Sequence, residues 1–243
     1  MTQMDHKYNL ENSIVFISSR WVNNFFKMKS INESILNSLK TTFVLESSNS
    51  SDDGSLVDIM LRELGFVKNS KGEYDTDGNF YYDEKFDGIL VKNGRLTVKF
   101  GRVGGIFSLD SVNDLVSLDG CPTFVGRSFM CDYCRSLKNL IGAPQTVGEH
   151  FLCTNCKGLT SLHGAPKKVP GIFNCCDCIR LMNLEGCPRK IGDSFYCIRN
   201  RSLMSLDGCP ERVGGDFHIE KSGNKFTEED VLSLCVVGGK IVC

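Results

Sequence analysis

The sequence predicts an α+β protein, in which a C-terminal β-solenoid of short parallel strands with 22-residue coils follows an N-terminal helical and hairpin cap region. Three observations support this fold class. A 22-residue pattern recurs five times between residues 103 and 212 and begins again at residue 213. The same apolar residue types return in register in every unit, whereas residues 1–100 are not repetitive. A strict period of this length indicates stacked units that close each other's apolar faces.

The register of the repeat is clearest at its phenylalanines. They are Phe107, Phe129, Phe151, Phe173, Phe195 and Phe217. A cysteine two residues after most of them lies on the same face of a short strand. Within one unit we expect six inward positions, namely Val125, Phe129, Cys131, Cys134, Leu137 and Leu140. Stacking of these positions predicts a parallel sheet over an apolar core.

The region before the repeats should contain helices and a hairpin. Ser30 and Glu33 have capping-box spacing before a helix over about 31–44, and a polar linker follows over 46–54. A second helix begins near Ser55 and ends at Gly65. The sequence predicts turns over residues 71–88. Two β-rich runs flank Asn93–Gly94 and predict a hairpin over 89–100 that caps the solenoid.

The predicted organisation therefore has three parts. Residues 1–100 form the non-repetitive region, residues 103–222 form five to six solenoid coils, and residues 223–243 form a C-terminal cap. In that cap, Thr227 and the acidic residues after it begin a short helix that runs to about Cys235.

Composition narrows the possible functions. The formal net charge is −1 over 243 residues, which argues against a general nucleic-acid binder or a membrane-surface protein that depends on a basic excess. Residues 1–10 are polar and no run is long and apolar enough to span a bilayer, so neither export nor a membrane partner is expected. The 13 cysteines are then expected to be free thiols in a reducing cytoplasm.

The repeat resembles two known patterns. The motif F-x-C-x-x-C-x-x-L is similar to the leucine-rich-repeat core, with Phe and Cys in place of two leucines. The longer form F-x-C-x-x-C-x-x-L-x-S-L-x-G-A/C-P-x-x-V-G is similar to a repeat of uncharacterised proteins of large tailed bacteriophages. This resemblance covers residues 103–222 and implies a solenoid, a phage origin and the host cytoplasm as the location. Asn200 replaces a cysteine in the fifth unit, as expected in an Asn/Cys ladder.

The paired cysteines allow two interpretations. Three C-x-x-C pairs, at Cys131–Cys134, Cys153–Cys156 and Cys175–Cys178, have the spacing of a zinc site. The repeat period already explains that spacing, and Asn200 and Val112 occupy ladder positions where an obligatory ligand could not be replaced. We therefore expect a structural ladder, with no metal and no cofactor.

The outward strand positions are the candidate binding surface. Because Met, Tyr and Arg are enriched where proteins bind each other, we expect a partner-binding patch there. Its residues are Met130, Tyr133, Leu152, Tyr196, Ile198 and Arg199. A second surface is a basic stripe suited to phosphate or an acidic protein. Its residues are Lys167, Lys168, Arg189, Lys190, Arg212 and Lys221.

Catalysis has no support in the sequence. The four histidines show no spacing typical of a nucleophile and its base, and no phosphate-binding glycine motif is present, so no catalytic residue is predicted. The leading hypothesis is a noncatalytic protein-binding module, encoded by a phage. It would modulate or inhibit a host protein, such as an antiviral-defence protein, through its repeat face or its N-terminal helices.

Two alternatives remain open at this point. One is a virion or assembly component, because residues 28–33 and 43–46 faintly resemble the head-targeting leaders of large phages. The other is a zinc-dependent or nucleic-acid-binding module, although nucleic acid is not the expected partner.

Overall fold

The computed structural model describes residues 56–243 and contains a parallel β-solenoid. The predicted helix over 31–44 and the polar linker over 46–54 lie outside the described residues. The helices and strands follow in chain order: α1 (Leu56–Glu63), β1 (Val67–Lys68), β2 (Tyr74–Thr76), β3 (Phe80–Tyr81), a 3₁₀ helix (Glu84–Phe86), β4 (Val91–Lys92), β5 (Arg95–Leu96), β6 (Phe100–Val103), β7 (Phe107–Ser108), β8 (Phe124–Val125), β9 (Phe129–Met130), β10 (Thr146–Val147), β11 (Phe151–Leu152), β12 (Lys168–Val169), β13 (Phe173–Asn174), β14 (Lys190–Ile191), β15 (Phe195–Tyr196), β16 (Arg212–Val213), β17 (Phe217–His218), α2 (Glu228–Leu232), β18 (Val236–Val237) and β19 (Ile241–Val242).

Each coil contributes one short strand to each of two ladders. The first ladder is an eight-stranded sheet in the order β19-β17-β15-β13-β11-β9-β7-β3. The second is formed by a five-stranded sheet, β1-β2-β6-β8-β10, and a four-stranded sheet, β12-β14-β16-β18. All neighbours in both ladders are parallel except β1 and β2. The structure therefore confirms the predicted β-solenoid.

The core is a set of aligned side-chain columns. Phe129 lies opposite Phe107 and Phe151 in the sheet register. Neighbouring rings from Phe80 to Phe217 have centroids 4.9–6.2 Å apart, in stacked, tilted and edge arrangements. All six inward positions predicted for one unit are fully buried. Aromatic pairs at these distances add to the stabilisation from apolar burial.

The N-terminal part of the described chain packs on this core. Helix α1 ends at Glu63, and the predicted terminating glycine, Gly65, follows with a φ of 80° that glycine reaches easily. The Phe66 N–H donates to the Leu61 carbonyl at 2.9 Å. The Phe66 ring lies 5.8 Å from Phe80 and 5.4 Å from Phe100, centroid to centroid. This aromatic cluster joins α1 to the first coil.

The solenoid begins earlier than the sequence predicted. Strands β2 and β3 pair in parallel with β6 and β7, so the reading of residues 71–88 as turns is wrong. The hairpin around Asn93–Gly94 is present, with φ of 52° and 71° at these two residues. It is inserted within the first coil, where equivalent positions are 27 residues apart instead of 22. Extra residues in the outer loop thus leave the β3–β7 register intact, whereas the β2–β6 pair shifts by one residue between Tyr74 and Thr76.

The solenoid also ends later than predicted. Helix α2 begins after Thr227 as expected, and Thr227 and Asp230 form a capping box by exchanging side-chain to backbone hydrogen bonds. Beyond it, β18 and β19 extend both ladders, with Val237 opposite Val213 and Ile241 opposite Phe217. The coils therefore reach from residue 74 to residue 242, past both limits of the predicted 103–222.

Candidate functional site

One row of side chains runs along the outward face of the eight-stranded sheet, and its members are half-buried or buried. Because alternate residues of a strand face opposite sides, the residue after each buried phenylalanine faces outward. We call these residues the outer row: Tyr81, Ser108, Met130, Leu152, Asn174, Tyr196, His218 and Val242. Met130 and Leu152 are directly opposed and half-buried, and the Tyr196 ring stacks on His218 with centroids 4.8 Å apart. The row is an ordered surface on a fixed backbone.

A second column lies at the bend after each of these strands. We call it the turn column: Ser111, Tyr133, Asn155, Asp177, Arg199 and Lys221. All six have φ between 56° and 66°, the left-handed conformation. Asn and Asp adopt it more readily than other non-glycine residues, for which it costs roughly 1–2 kcal/mol. Tyr133 adopts the left-handed conformation although tyrosine lacks the preference for it that Asn155 and Asp177 have. The side chain of Tyr133 is exposed, with 44% of the residue surface accessible.

Polar side chains on both sides of the outer row hold neighbouring coils together. On one side, the Asp132 N–H donates to Asp110 Oδ1 at 2.8 Å, and the Ile198 N–H donates to Cys176 Sγ at 3.3 Å. On the other side, the Asp216 N–H donates to Ser194 Oγ at 3.1 Å. These side-chain atoms serve as acceptors for backbone donors of the next coil, so they contribute to stacking.

Two of these acceptors form a stacked carboxyl pair. Asp110 and Asp132 are 22 residues apart, and the Thr154 N–H donates to Asp132 Oδ1 at 2.5 Å. Burial raises the pKa of Asp110 to about 6. Burial, and then the charge of Asp110, raise the pKa of Asp132 to about 7. Ionising both carboxyls therefore opposes the folded state.

The six predicted contact residues divide into two groups. Met130, Leu152 and Tyr196 lie on the outer row and are half-buried, and Tyr133 is exposed beside them.

The remaining two predicted contacts differ from expectation. Arg199 makes two hydrogen bonds to the Asp177 carboxylate, at 2.7 and 2.6 Å, so its guanidinium already has an anionic partner. Ile198 is only 7% exposed, and its expected place on the open face is wrong. The strands are two residues long, so the strict alternation of faces ends before this position.

The cysteines form a hydrogen-bonded ladder. Cys134 Sγ lies 3.2 Å from the Leu109 carbonyl and Cys178 Sγ lies 3.2 Å from the Cys153 carbonyl, each acceptor being 25 residues earlier. Burial raises the pKa of both thiols, which keeps the S–H that such a bond requires. Within residues 56–243, no group of three or more His, Cys, Asp or Glu side chains is arranged to hold a metal ion.

The predicted basic stripe is only partly assembled. Lys168, Lys190 and Arg212 are direct neighbours on β12, β14 and β16. Lys167 and Arg189 each precede one of them, whereas Lys221 belongs to the turn column.

A cluster around His218 was missed at the sequence level. His218 Nδ1 lies 3.7 Å from Glu220 Oε2, and His218 Nε2 lies 4.0 Å from Asp216 Oδ2. The side chain is 7% exposed, and its Nε2 has no hydrogen-bond partner. The signal in the sequence was a carboxylate, a histidine and a carboxylate at alternate positions, Asp216, His218 and Glu220, around β17.

A shallow cleft of about 320 Å³ lies between the first two coils, and Ser111 of the turn column is among its lining residues. Tyr82, Asp87 and Asp114 are among its lining residues, and the Tyr82 hydroxyl donates to Asp87 Oδ1 at 2.8 Å. The cleft contains no histidine, cysteine or basic side chain.

Comparison with known proteins gives no match: no protein-family model, curated protein or solved structure matches the chain. In the part of the chain that the structure describes, no helix has the length and apolar character needed to cross a membrane.

Proposed function

We propose that this chain is a noncatalytic protein-binding module that contacts its partner through the outer row and Tyr133. In this proposal the protein is encoded by a phage and modulates or inhibits a protein in the cytoplasm of the bacterial host. The resemblance of the repeat to bacteriophage repeats supports the origin and the kind of partner. The observation that carries the binding role is the aligned outer row, in which Met130, Leu152 and Tyr196 remain half-buried, beside the exposed Tyr133.

The composition of this surface supports recognition of a protein. Met130, Leu152 and Tyr196 place apolar and aromatic groups on three strands of one sheet. Methionine and aromatic residues are enriched at protein interfaces, and a few of them usually supply most of the binding energy. The hydrogen-bonded backbone fixes their positions before binding, which reduces the entropic cost of association.

The conformation of Tyr133 gives independent support. Its φ of 62° is unfavourable for tyrosine, although Asn155 in the same column shows that a better suited residue fits there. A strained and exposed aromatic residue is typical of a position kept for contact with a partner.

The polar groups beside the outer row favour binding over catalysis. Asp110, Asp132 and Ser194 use their oxygens to accept backbone hydrogen bonds from the next coil. A nucleophile or general base needs a free lone pair directed at the substrate. These side chains are therefore better suited to a structural role.

An affinity capture experiment tests the proposal. The full chain, a Tyr133→Ala/Tyr196→Ala variant and a Met182→Ala/Met204→Ala variant are used as baits in host cytoplasm, and the retained proteins are identified by mass spectrometry. Met182 and Met204 are 59% and 62% exposed and lie outside the outer row, so they provide a matched loss of exposed side chains.

The expected result is one host protein that the tyrosine variant loses and the methionine variant retains. Truncating an interface aromatic typically costs at least about 2 kcal/mol, which is sufficient to lose a moderate-affinity partner during washing. The same retention by the tyrosine variant and the full chain would remove the outer row from the proposal. Loss by both variants would point to a general effect of surface truncation.

A further inference from the structure

Three cations form a line across the second strand ladder. Lys168, Lys190 and Arg212 lie at equivalent positions of β12, β14 and β16, and the register pairs Lys168 with Lys190 and Lys190 with Arg212. Neighbouring strands are about 4.8 Å apart, so the line is about 10 Å long at the backbone. All three residues are exposed. We call them the basic ladder.

Acidic groups of the described residues do not neutralise the charges of the basic ladder. Among residues 56–243, no carboxylate lies within ion-pair distance of Lys168, Lys190 or Arg212. The adjacent column contains Lys167, Arg189 and Glu211, which together add one net positive charge. The acid of that column, Glu211, pairs with Arg189 at 3.4 Å. A local excess of positive charge therefore exists although the whole chain has a net charge of −1.

The fold does not require cations at these positions. The same row contains Phe124 and Thr146 in the two preceding coils. Like charges directly opposite each other on neighbouring strands destabilise a sheet. Three consecutive cations at a position that accepts phenylalanine and threonine thus oppose folding, and a ligand that supplies the missing negative charge would explain them.

The rest of the row favours a nucleotide chain over an acidic peptide. The Arg102 guanidinium lies 5.0 Å from the centre of the Phe124 ring, at the far end of the row. Arginine planes and aromatic rings are the groups on which unpaired bases stack, whereas lysine and arginine contact the phosphates between those bases. A row with cations at one end and an aromatic–guanidinium pair at the other combines both features.

We propose that the basic ladder binds the phosphate backbone of a single-stranded nucleic acid. Lys168 and Lys190 donate to phosphate oxygens as compact charges, and Arg212 can form a two-pronged contact. The basic ladder lies on a different sheet from the outer row, so this interaction is separate from the proposed protein contact.

Binding of a labelled oligonucleotide of about 16 nucleotides by the full chain tests the inference. Fluorescence anisotropy is measured over a range of salt concentrations for the full chain, Lys168→Gln/Lys190→Gln/Arg212→Gln, and Arg135→Gln/Lys157→Gln/Arg201→Gln. The second variant is the matched control, because it removes three exposed cations from equivalent positions of three coils that lie outside the basic ladder.

The expected result is salt-dependent binding that the ladder variant loses and the control variant keeps. Losing three phosphate contacts should weaken binding at low salt by about tenfold or more, and should reduce the slope of log affinity against log salt by roughly 2. The control variant should stay within about twofold of the full chain. Circular dichroism should show no loss of thermal stability in the ladder variant, because the substitutions remove repulsion.

Three results would overturn the inference. The first is the absence of salt-dependent binding by the full chain. The second is an equal loss in both variants, which would reflect total charge only. The third is displacement of the oligonucleotide by polyglutamate or inorganic polyphosphate more effectively than by unlabelled oligonucleotide at equal charge concentration, which would assign the basic ladder to an acidic protein or to simple polyanions.

Discussion

Asn200 occupies in its coil the place that Cys178 occupies one coil earlier, and each directs a side-chain hydrogen bond to a carbonyl 25 residues before it. The distance from Asn200 Nδ2 to the Cys175 oxygen is 3.1 Å, and that from Cys178 Sγ to the Cys153 oxygen is 3.2 Å. Asparagine has the additional ability to accept, and its Oδ1 accepts the Cys178 N–H at 2.7 Å. From Cys134 to Asn200, the side chains of this column therefore form hydrogen bonds inside the core, whereas Val112 at its start does not.

This relationship predicts that replacing Asn200 causes a large loss of stability. Asn200→Ala leaves the Cys175 carbonyl and the Cys178 N–H buried without those partners, so we expect unfolding free energy to fall by about 2–4 kcal/mol. Urea unfolding followed by circular dichroism measures the change. Asn183→Ala is the control, because its Oδ1 accepts an exposed backbone hydrogen bond, and it should cost less than about 1 kcal/mol. Equal losses in both variants would contradict a special role of the ladder.

The turn column predicts that stability and binding oppose each other at Tyr133. Tyr133→Asn should raise unfolding free energy by about 0.5–1 kcal/mol, since asparagine adopts the left-handed conformation more easily, and should weaken partner binding. Asn155→Ala should have the opposite effect on stability, by about 1 kcal/mol. Chemical denaturation measures the change in unfolding free energy of each variant, which should be positive for Tyr133→Asn and negative for Asn155→Ala. A loss of stability in Tyr133→Asn would show that the ring contributes more to packing than its backbone conformation costs.

The carboxyl pair predicts that the solenoid becomes less stable as pH rises. The pKa values of Asp110 and Asp132 are raised to about 6 and about 7, above the ordinary value of 3.8. Because their pKa values are raised in the folded state, the two protonated carboxyls contribute fully to folding stability below about pH 4. That contribution is lost as pH increases to about 7.

Asp132→Asn tests this pH dependence. Asparagine keeps the acceptor for the Thr154 N–H but cannot ionise, so the variant should be about 2 kcal/mol more stable at pH 8 and its stability should vary less between pH 4 and 7. Asp207→Asn, at an exposed position, is the control. Thermal melts across this pH range give the comparison, and parallel pH profiles for the full chain and Asp132→Asn would refute the assignment.

The thiols predict one preferred internal disulfide. A hydrogen bond between the two side chains raises the pKa of Cys209 and lowers that of Cys235, and Cys209 is partly exposed. With hydrogen peroxide, two thiols lose two hydrogens to form the disulfide, and the peroxide is reduced to water. Peptide mass mapping should find Cys209–Cys235 before any pair of the fully buried column. Cys243→Ser, which removes an exposed competing thiol, should leave this product unchanged.

The repeat register could be predicted from the sequence because a strict period fixes the inward columns. The first and last coils were missed for two physical reasons. Their outer loops contain a hairpin and a helix, which change the spacing to 27 and 24 residues. Ile241 also replaces phenylalanine in the last strand, although Val237-Gly-Gly-Lys-Ile241 still follows the pattern of Val213-Gly-Gly-Asp-Phe217.

The candidate site was only partly predictable. Met130, Leu152 and Tyr196 follow from strand alternation. The burial of Ile198 and the pairing of Arg199 with Asp177 do not, because two-residue strands give way to a bend whose direction depends on tertiary stacking. The shared left-handed conformation of the turn column was hidden by its mixed composition of Ser, Tyr, Asn, Asp, Arg and Lys.

The inserted hairpin at β4 and β5 has a consequence for how such chains diversify. The first coil gains five residues relative to its neighbours while Phe80 still pairs with Phe107. New segments can therefore enter at the outer loop while the pairing of β3 with β7 is kept, and the β2–β6 pair adjusts by one residue. Within this loop Phe86 and Leu90 belong to the core, whereas Lys92 and Asn93 at the hairpin turn are exposed. Foreign peptides inserted between Lys92 and Asn93 should therefore be displayed without loss of the scaffold.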